Sequence, residues 1–107
     1  MSDQKVIRTV VISDPSGVHL RTASAIEAIT RRSQSQVQVV SAYHRAKGTD
    51  IWDLLALAAP CGSSLTLEVT GPDAQQVLDA LEPLFTGDET ALSTVLKPAN
   101  ETKKEDE

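Results

Sequence analysis

The spacing of apolar positions divides the chain into short segments of two alternating kinds. Residues 5–13 predict a strand, with Val6, Arg8, Val10 and Ile12 on one face and Ile7, Thr9 and Val11 on the other. The blurred alternation fits a strand covered on one face and partly covered on the other. Asp14-Pro15-Ser16-Gly17 is a turn by composition. Leu20, Ala23, Ile26 and Ile29 then recur at helical spacing, which predicts a helix over 20–32. After a polar connection at 33–36, Val37, Val39 and Val40 form a second strand and residues 43–46 a third, joined by a tight turn near Ser41-Ala42. The apolar run 51–59 reads as a helix capped by Asp50 or Thr49 and ended by Pro60. The cleanest strand follows, where Leu65, Leu67 and Val69 alternate with Thr66, Glu68 and Thr70. Gly71-Pro72-Asp73 opens a helix striped by Ala74, Val77, Leu78, Leu81 and Phe85, with Pro83 expected to kink or loosen its last turn. The resulting order, β-α-β-β-α-β-α, implies an α+β fold: an antiparallel or mixed sheet with helices packed on one face.

Composition narrows the function classes. A chain of 107 residues is one domain with a modest core, and with aromatics at 3% that core is aliphatic. A net charge of −5 and the absence of a basic cluster argue against nucleic acid as a partner. Cys61 is the sole cysteine, so no internal disulfide or cysteine-rich metal site is expected, in keeping with a reducing cytoplasm. No segment resembles a signal peptide or reaches transmembrane length, so no membrane insertion is expected. The stretch from Asp88 to Glu107 holds six acids and three lysines. Within it Ala91–Leu96 suits one more helical turn, and residues from about 98 onward lack apolar anchors and are expected to be disordered.

Candidate chemistry concentrates in Ser16-Gly17-Val18-His19-Leu20-Arg21-Thr22, where the first strand hands over to the first helix. Gly17 frees the turn. His19 stands at, or just before, the first helical residue, where unpaired N–H groups attract an anion such as phosphate. The same positive end disfavours an imidazolium and favours a neutral, nucleophilic ring. Arg21 offers a forked donor set for phosphate oxygens. No triad can be assembled from spacing alone, and no metal motif of the His-Glu-x-x-His kind is present. His44 reads as a solvated strand residue and Cys61 as a loop residue.

This segment resembles the active-site signature of HPr, the histidine-containing phosphocarrier of the bacterial phosphoenolpyruvate-dependent sugar phosphotransferase system. That signature reads Gly, aliphatic, His, any residue, Arg, Pro, Ala; here it stands as Gly17, Val18, His19, Leu20, Arg21, Thr22, Ala23, with Thr22 in place of the proline. The resemblance spans about residues 4–87, includes Ile51–Gly62 and Gly71–Leu84, and implies an open-faced β-sandwich: a four-stranded antiparallel sheet with helices on one face. It divides the chain into a phosphocarrier domain at 1–87 and an acidic extension at 88–107.

The resemblance also implies roles. His19 takes a phosphoryl group on Nδ1 from enzyme I, itself charged from phosphoenolpyruvate, and passes it to a sugar-permease (enzyme II) component. Leu20, Arg21 and Thr22 bind the phosphate, with Arg21 its side-chain partner. Ile51, Trp52 and Leu55 fall where the family has an apolar docking patch, while Leu54 and Leu57 suit plain core packing. Trp52 is expected to be exposed. Asp50 falls at the family's regulatory serine position and cannot accept that modification. No cofactor is implied, and the protein is a stoichiometric carrier more than a stand-alone enzyme. The alternative is a regulatory paralogue that docks to a kinase, permease or transcription regulator. Retention of His19 and Arg21 favours the carrier; Thr22 and Asp50 favour the paralogue.

Overall fold

The computed structural model describes residues 4–96. The tail expected to be disordered from residue 98 lies outside them. Eight elements follow in order: β1 (Gln4–Val11), α1 (Leu20–Arg32), β2 (Gln36–Val40), β3 (Arg45–Lys47), α2 (Ile51–Leu55), β4 (Ser64–Gly71), α3 (Ala74–Phe85) and α4 (Glu89–Leu96). The strands form one antiparallel sheet in the order β1-β4-β2-β3. The strand with the strictest alternation is thus central. Leu65, Leu67 and Val69 are at most 1% exposed, because β4 is flanked on both sides and its inner face is covered by helices.

Register assembles the core. Val6 faces Val69 and Val10 faces Leu65, while Val39 faces Leu67 on one side and Ala46 on the other. A slip of one residue would turn these side chains to the open face. That face is polar around Glu68, which pairs with Arg45 and Lys5. It is bare at the β1 edge, where Ile7 and Val11 are exposed. Arg8 shares the inner face of β1 with Val6 and Val10, and its guanidinium extends to α3 to meet Glu82 at 2.5 Å and Asp79 at 3.3 Å. This pairing raises its pKa, chiefly through the Glu82 bond.

Three segments differ from the sequence expectation. The second helix is a single short piece, Ile51–Leu55, instead of 51–59. Beyond it the chain turns through Ala58, a non-glycine residue at φ 48°, which a continuing helix cannot contain. The third strand begins at Arg45, because Ser41 Oγ accepts the backbone N–H groups of Tyr43 and His44 and holds those residues in the turn. The extra turn expected at 91–96 is a full helix, α4, with Leu92 completely buried and Ala91, Val95 and Leu96 packed against the core. Pro83 stays inside α3, and its carbonyl accepts both Thr86 N–H and Thr86 Oγ1 at the end of the helix.

Candidate functional site

The loop between β1 and α1 is built on two backbone constraints. Gly17 has φ +69°, and a Cβ there would lie 2.4 Å from Ala59 O. Val18 N–H donates to the same carbonyl at 3.1 Å. The loop therefore lies flat against the α2–β4 connection, and only glycine allows that approach. His19 follows as the N-cap of α1, with extended backbone and no side-chain cap bond. Its carbonyl accepts the first ladder bond, from Ala23 N–H at 2.9 Å. Its ring is therefore free of capping and sits at the positive end of a helix of 13 residues.

The ring has close partners on one nitrogen. Nε2 lies 3.4 Å from Asp14 Oδ2 and 3.2 Å from Thr22 Oγ1. Asp14 is 8% exposed and Thr22 1%, so both groups meet the imidazole largely out of water. The Asp14 carboxylate is anchored in turn, its Oδ1 accepting Ser16 N–H at 2.9 Å. Asp14 was readable only as a turn residue in Asp-Pro-Ser-Gly. The signal that could have found it is the Asx turn itself, which fixes an aspartate side chain beside a loop five residues before the histidine.

Arg21 lies on the first turn of α1, and its Nη2 donates toward Ser93 Oγ of α4 at 3.4 Å. Leu20 is exposed at 60%. The sequence segment 19–22 thus divides by burial, with Leu20 and Arg21 outward and Thr22 inward.

The other candidate residues sit on α2, which packs against α1. Trp52 is 80% exposed, Ile51 and Leu55 are half-buried, and Leu54 and Leu57 belong to the core. Asp50 is the α2 N-cap, accepting Asp53 N–H at 3.1 Å. His44 is not the solvated strand residue its sequence context suggested. It lies in the turn before β3 with Nε2 2.7 Å from Asp53 Oδ1, while Asp53 Oδ2 accepts Lys47 N–H. Folding brings these together because α2 leaves β3 after only a few residues. The Lys47 N–H bond, followed by His44, holds the Asp53 carboxyl below the usual carboxylate range. Among the described residues no group of three or more His, Cys, Asp or Glu side chains could hold a metal ion, and Cys61 is exposed.

Comparison with known proteins bears on this arrangement. Residues 6–86 match the family model described as the PTS HPr component phosphorylation site. The chain belongs to the HPr phosphocarrier family. It is 39% identical over 80 residues to the phosphocarrier protein HPr of Treponema pallidum, covering 75% of this chain and 91% of that one. It is 32% identical over 78 residues to HPr of Cupriavidus necator, covering 73% and 88%. The fold is similar to the crystal structure of HPr from Bacillus anthracis, with a TM-score of 0.71 at 23% identity over 76% of this chain and 96% of that one. The HPr match ends at residue 86, so α4 follows the matched region while sharing its core.

Proposed function

We propose that this HPr-family protein is a cytoplasmic phosphocarrier in which His19 takes a phosphoryl group from phosphoenolpyruvate-charged enzyme I and hands it to a sugar-permease component. The observation that carries this reading is the placement of His19: an uncapped imidazole at the N-terminus of α1, inside the HPr-matched region. A helix N-terminus stabilises the phosphoryl oxygens, and catalysis by such a carrier is positioning plus electrostatics. The ring nitrogen attacks phosphorus, the N–P bond forms, and the donor's leaving atom keeps the bonding pair. Leu20, Arg21 and Thr22 provide the phosphate site through first-turn amides and the Arg21 guanidinium. Ile51, Trp52 and Leu55 form the docking patch, with Trp52 as its exposed anchor. No helix of the described residues is long and apolar enough to cross a membrane.

The test is incubation with phosphoenolpyruvate and enzyme I. One acid-labile phosphate should appear on the wild type and none on His19→Ala. Equal labelling of the two would refute the assignment.

A second reading, a regulatory paralogue that docks to a kinase, permease or transcription regulator, draws on Asp50. Its fixed negative charge caps α2 beside exposed Trp52. If that charge slows docking to enzyme I, Asp50→Ser should lower KM at low salt, less so at high salt, and keep the helix because serine also caps. Identical KM values would leave Asp50 as a cap alone.

A further inference from the structure

We propose that Asp14 is a positioning residue that decides which nitrogen of His19 is the nucleophile. The proposal rests on the carrier reading for its kinetic arm only. A neutral imidazole carries one proton, and the hydrogen bond made by one nitrogen sets the state of the other. Here both close partners lie on Nε2: Asp14 Oδ2 at 3.4 Å and Thr22 Oγ1 at 3.2 Å. An ionised carboxylate only accepts, so it selects the tautomer with hydrogen on Nε2. The hydroxyl, which both accepts and donates, tolerates that choice. Nδ1 is then left with its lone pair available for attack.

The carboxylate is held in place, because Oδ1 accepts Ser16 N–H at 2.9 Å and the Asp14 side chain is itself buried within a turn whose other polar residues are exposed. Transfer then balances simply. The Nδ1 lone pair forms the N–P bond, the donor's leaving atom departs with its electron pair, and the Nε2 proton stays in place. The product ring carries phosphorus on one nitrogen and hydrogen on the other, so it gains positive charge. Asp14 faces that charge from the Nε2 side. The contact is longer than a relaxed N–H···O bond and shortens as the charge develops, as catalytic hydrogen bonds do on leaving the resting state. Thr22 fits the same scheme. Standing where the family signature has proline, it puts a buried hydroxyl on the ring.

Asp14→Asn is the informative variant. Asparagine keeps Oδ1 for Ser16 N–H, which preserves the turn and aims its NH2 at Nε2. An NH2 only donates, so it selects the opposite tautomer, with hydrogen on Nδ1. The first experiment is 15N NMR of the His19 ring in the unphosphorylated protein at a pH where the ring is neutral. The wild type should be the Nε2–H tautomer and Asp14→Asn should shift toward Nδ1–H. The second is the rate of phosphorylation by enzyme I against carrier concentration. Asp14→Asn should lower kcat about ten-fold, the scale of a hydrogen bond to a charged group, with KM unchanged. Thr22→Val should lower kcat about two- to three-fold, as for a neutral bond.

A wild-type ring in the Nδ1–H form overturns the proposal even if the variant fails to fold. So does an Asn variant with unaltered tautomer or unaltered kcat. Absence of label on His19 in the wild type defeats the carrier reading instead, and the NMR comparison still decides what Asp14 does.

Discussion

Leu92→Ala tests how firmly α4 belongs to the domain. Leu92 is 0% exposed although it lies beyond the HPr-matched region, and α4 packs against both α1 and α3. Truncating a buried leucine to alanine costs about 2–5 kcal/mol, depending on how far the surroundings collapse. A helix of eight residues following the last turn of α3 is well placed to settle inward, so the lower end applies, about 2–3 kcal/mol. Unfolding entropy near 2.1 cal/mol/K per residue gives about 0.2 kcal/mol/K for a domain of this size, so Tm should fall by about 10–15 °C. The assay is thermal and urea denaturation followed by far-UV circular dichroism, with the urea midpoint moving and its slope unchanged. Thr94→Ala, an exposed change on the same helix, is the control and should stay within about 0.5 kcal/mol of wild type. A Tm for Leu92→Ala within about 2 °C of that control would refute the packing argument: α4 would then be an undocked appendage, and its hydroxyl at Ser93 would not be held beside Arg21.

Gly17→Ala should be destabilising by more than about 2 kcal/mol and should slow phosphorylation, because it combines a left-handed backbone with a Cβ 2.4 Å from Ala59 O; a melting curve matching wild type would show that the loop yields. Trp52→Ala should leave Tm within about 2 °C of wild type while raising KM for enzyme I, since the ring is 80% exposed and supports little of the core; unchanged KM would remove Trp52 from the docking patch. Acid unfolding should draw on Asp53, Asp73 and Glu68. Their folded pKa values are lowered by Lys47 N–H and His44, by Ser35 and Gln34 N–H, and by Arg45 respectively. Each contributes stability that is present above its unfolded value, 3.8 for the aspartates and 4.5 for the glutamate, and is lost as pH falls through the lower folded value. Asp53→Asn and Asp73→Asn should each flatten the stability curve below about pH 4; a curve parallel to wild type there would mean the carboxylates titrate alike in both states.

Local pattern was enough for the elements whose burial is regular. The strict alternation of Leu65, Leu67 and Val69 marks a strand with one covered face, and the stripe Leu20, Ala23, Ile26 and Ile29 marks a helix, although Leu20 at its first turn is 60% exposed and lies off the buried face. The glycine at 17, the histidine at 19 and the helical spacing after it placed the ring at a helix start without any tertiary knowledge, because turn chemistry and capping are decided within a few residues. The resemblance to HPr was readable in the same segment, since it rests on consecutive residues.

What the chain order could not convey is which distant or neighbouring polar groups face one another once the turns close. Asp14 reads as a turn former, and only the folded loop brings its second oxygen to His19 Nε2. His44 meets Asp53 because a tight turn and a short α2 fold back on each other. The early end of α2, against an apolar run extending to residue 59, follows from tertiary packing: Leu57 and Ala59 are buried by a chain that has already left the helix. Leu92 lies in a stretch that reads as an acidic tail, yet the packing of α4 against α1 and α3 buries its side chain completely. Hydrophobic period reports how a residue is buried relative to its neighbours in sequence. It does not report what buries it, and hydrogen-bond partners depend on the latter.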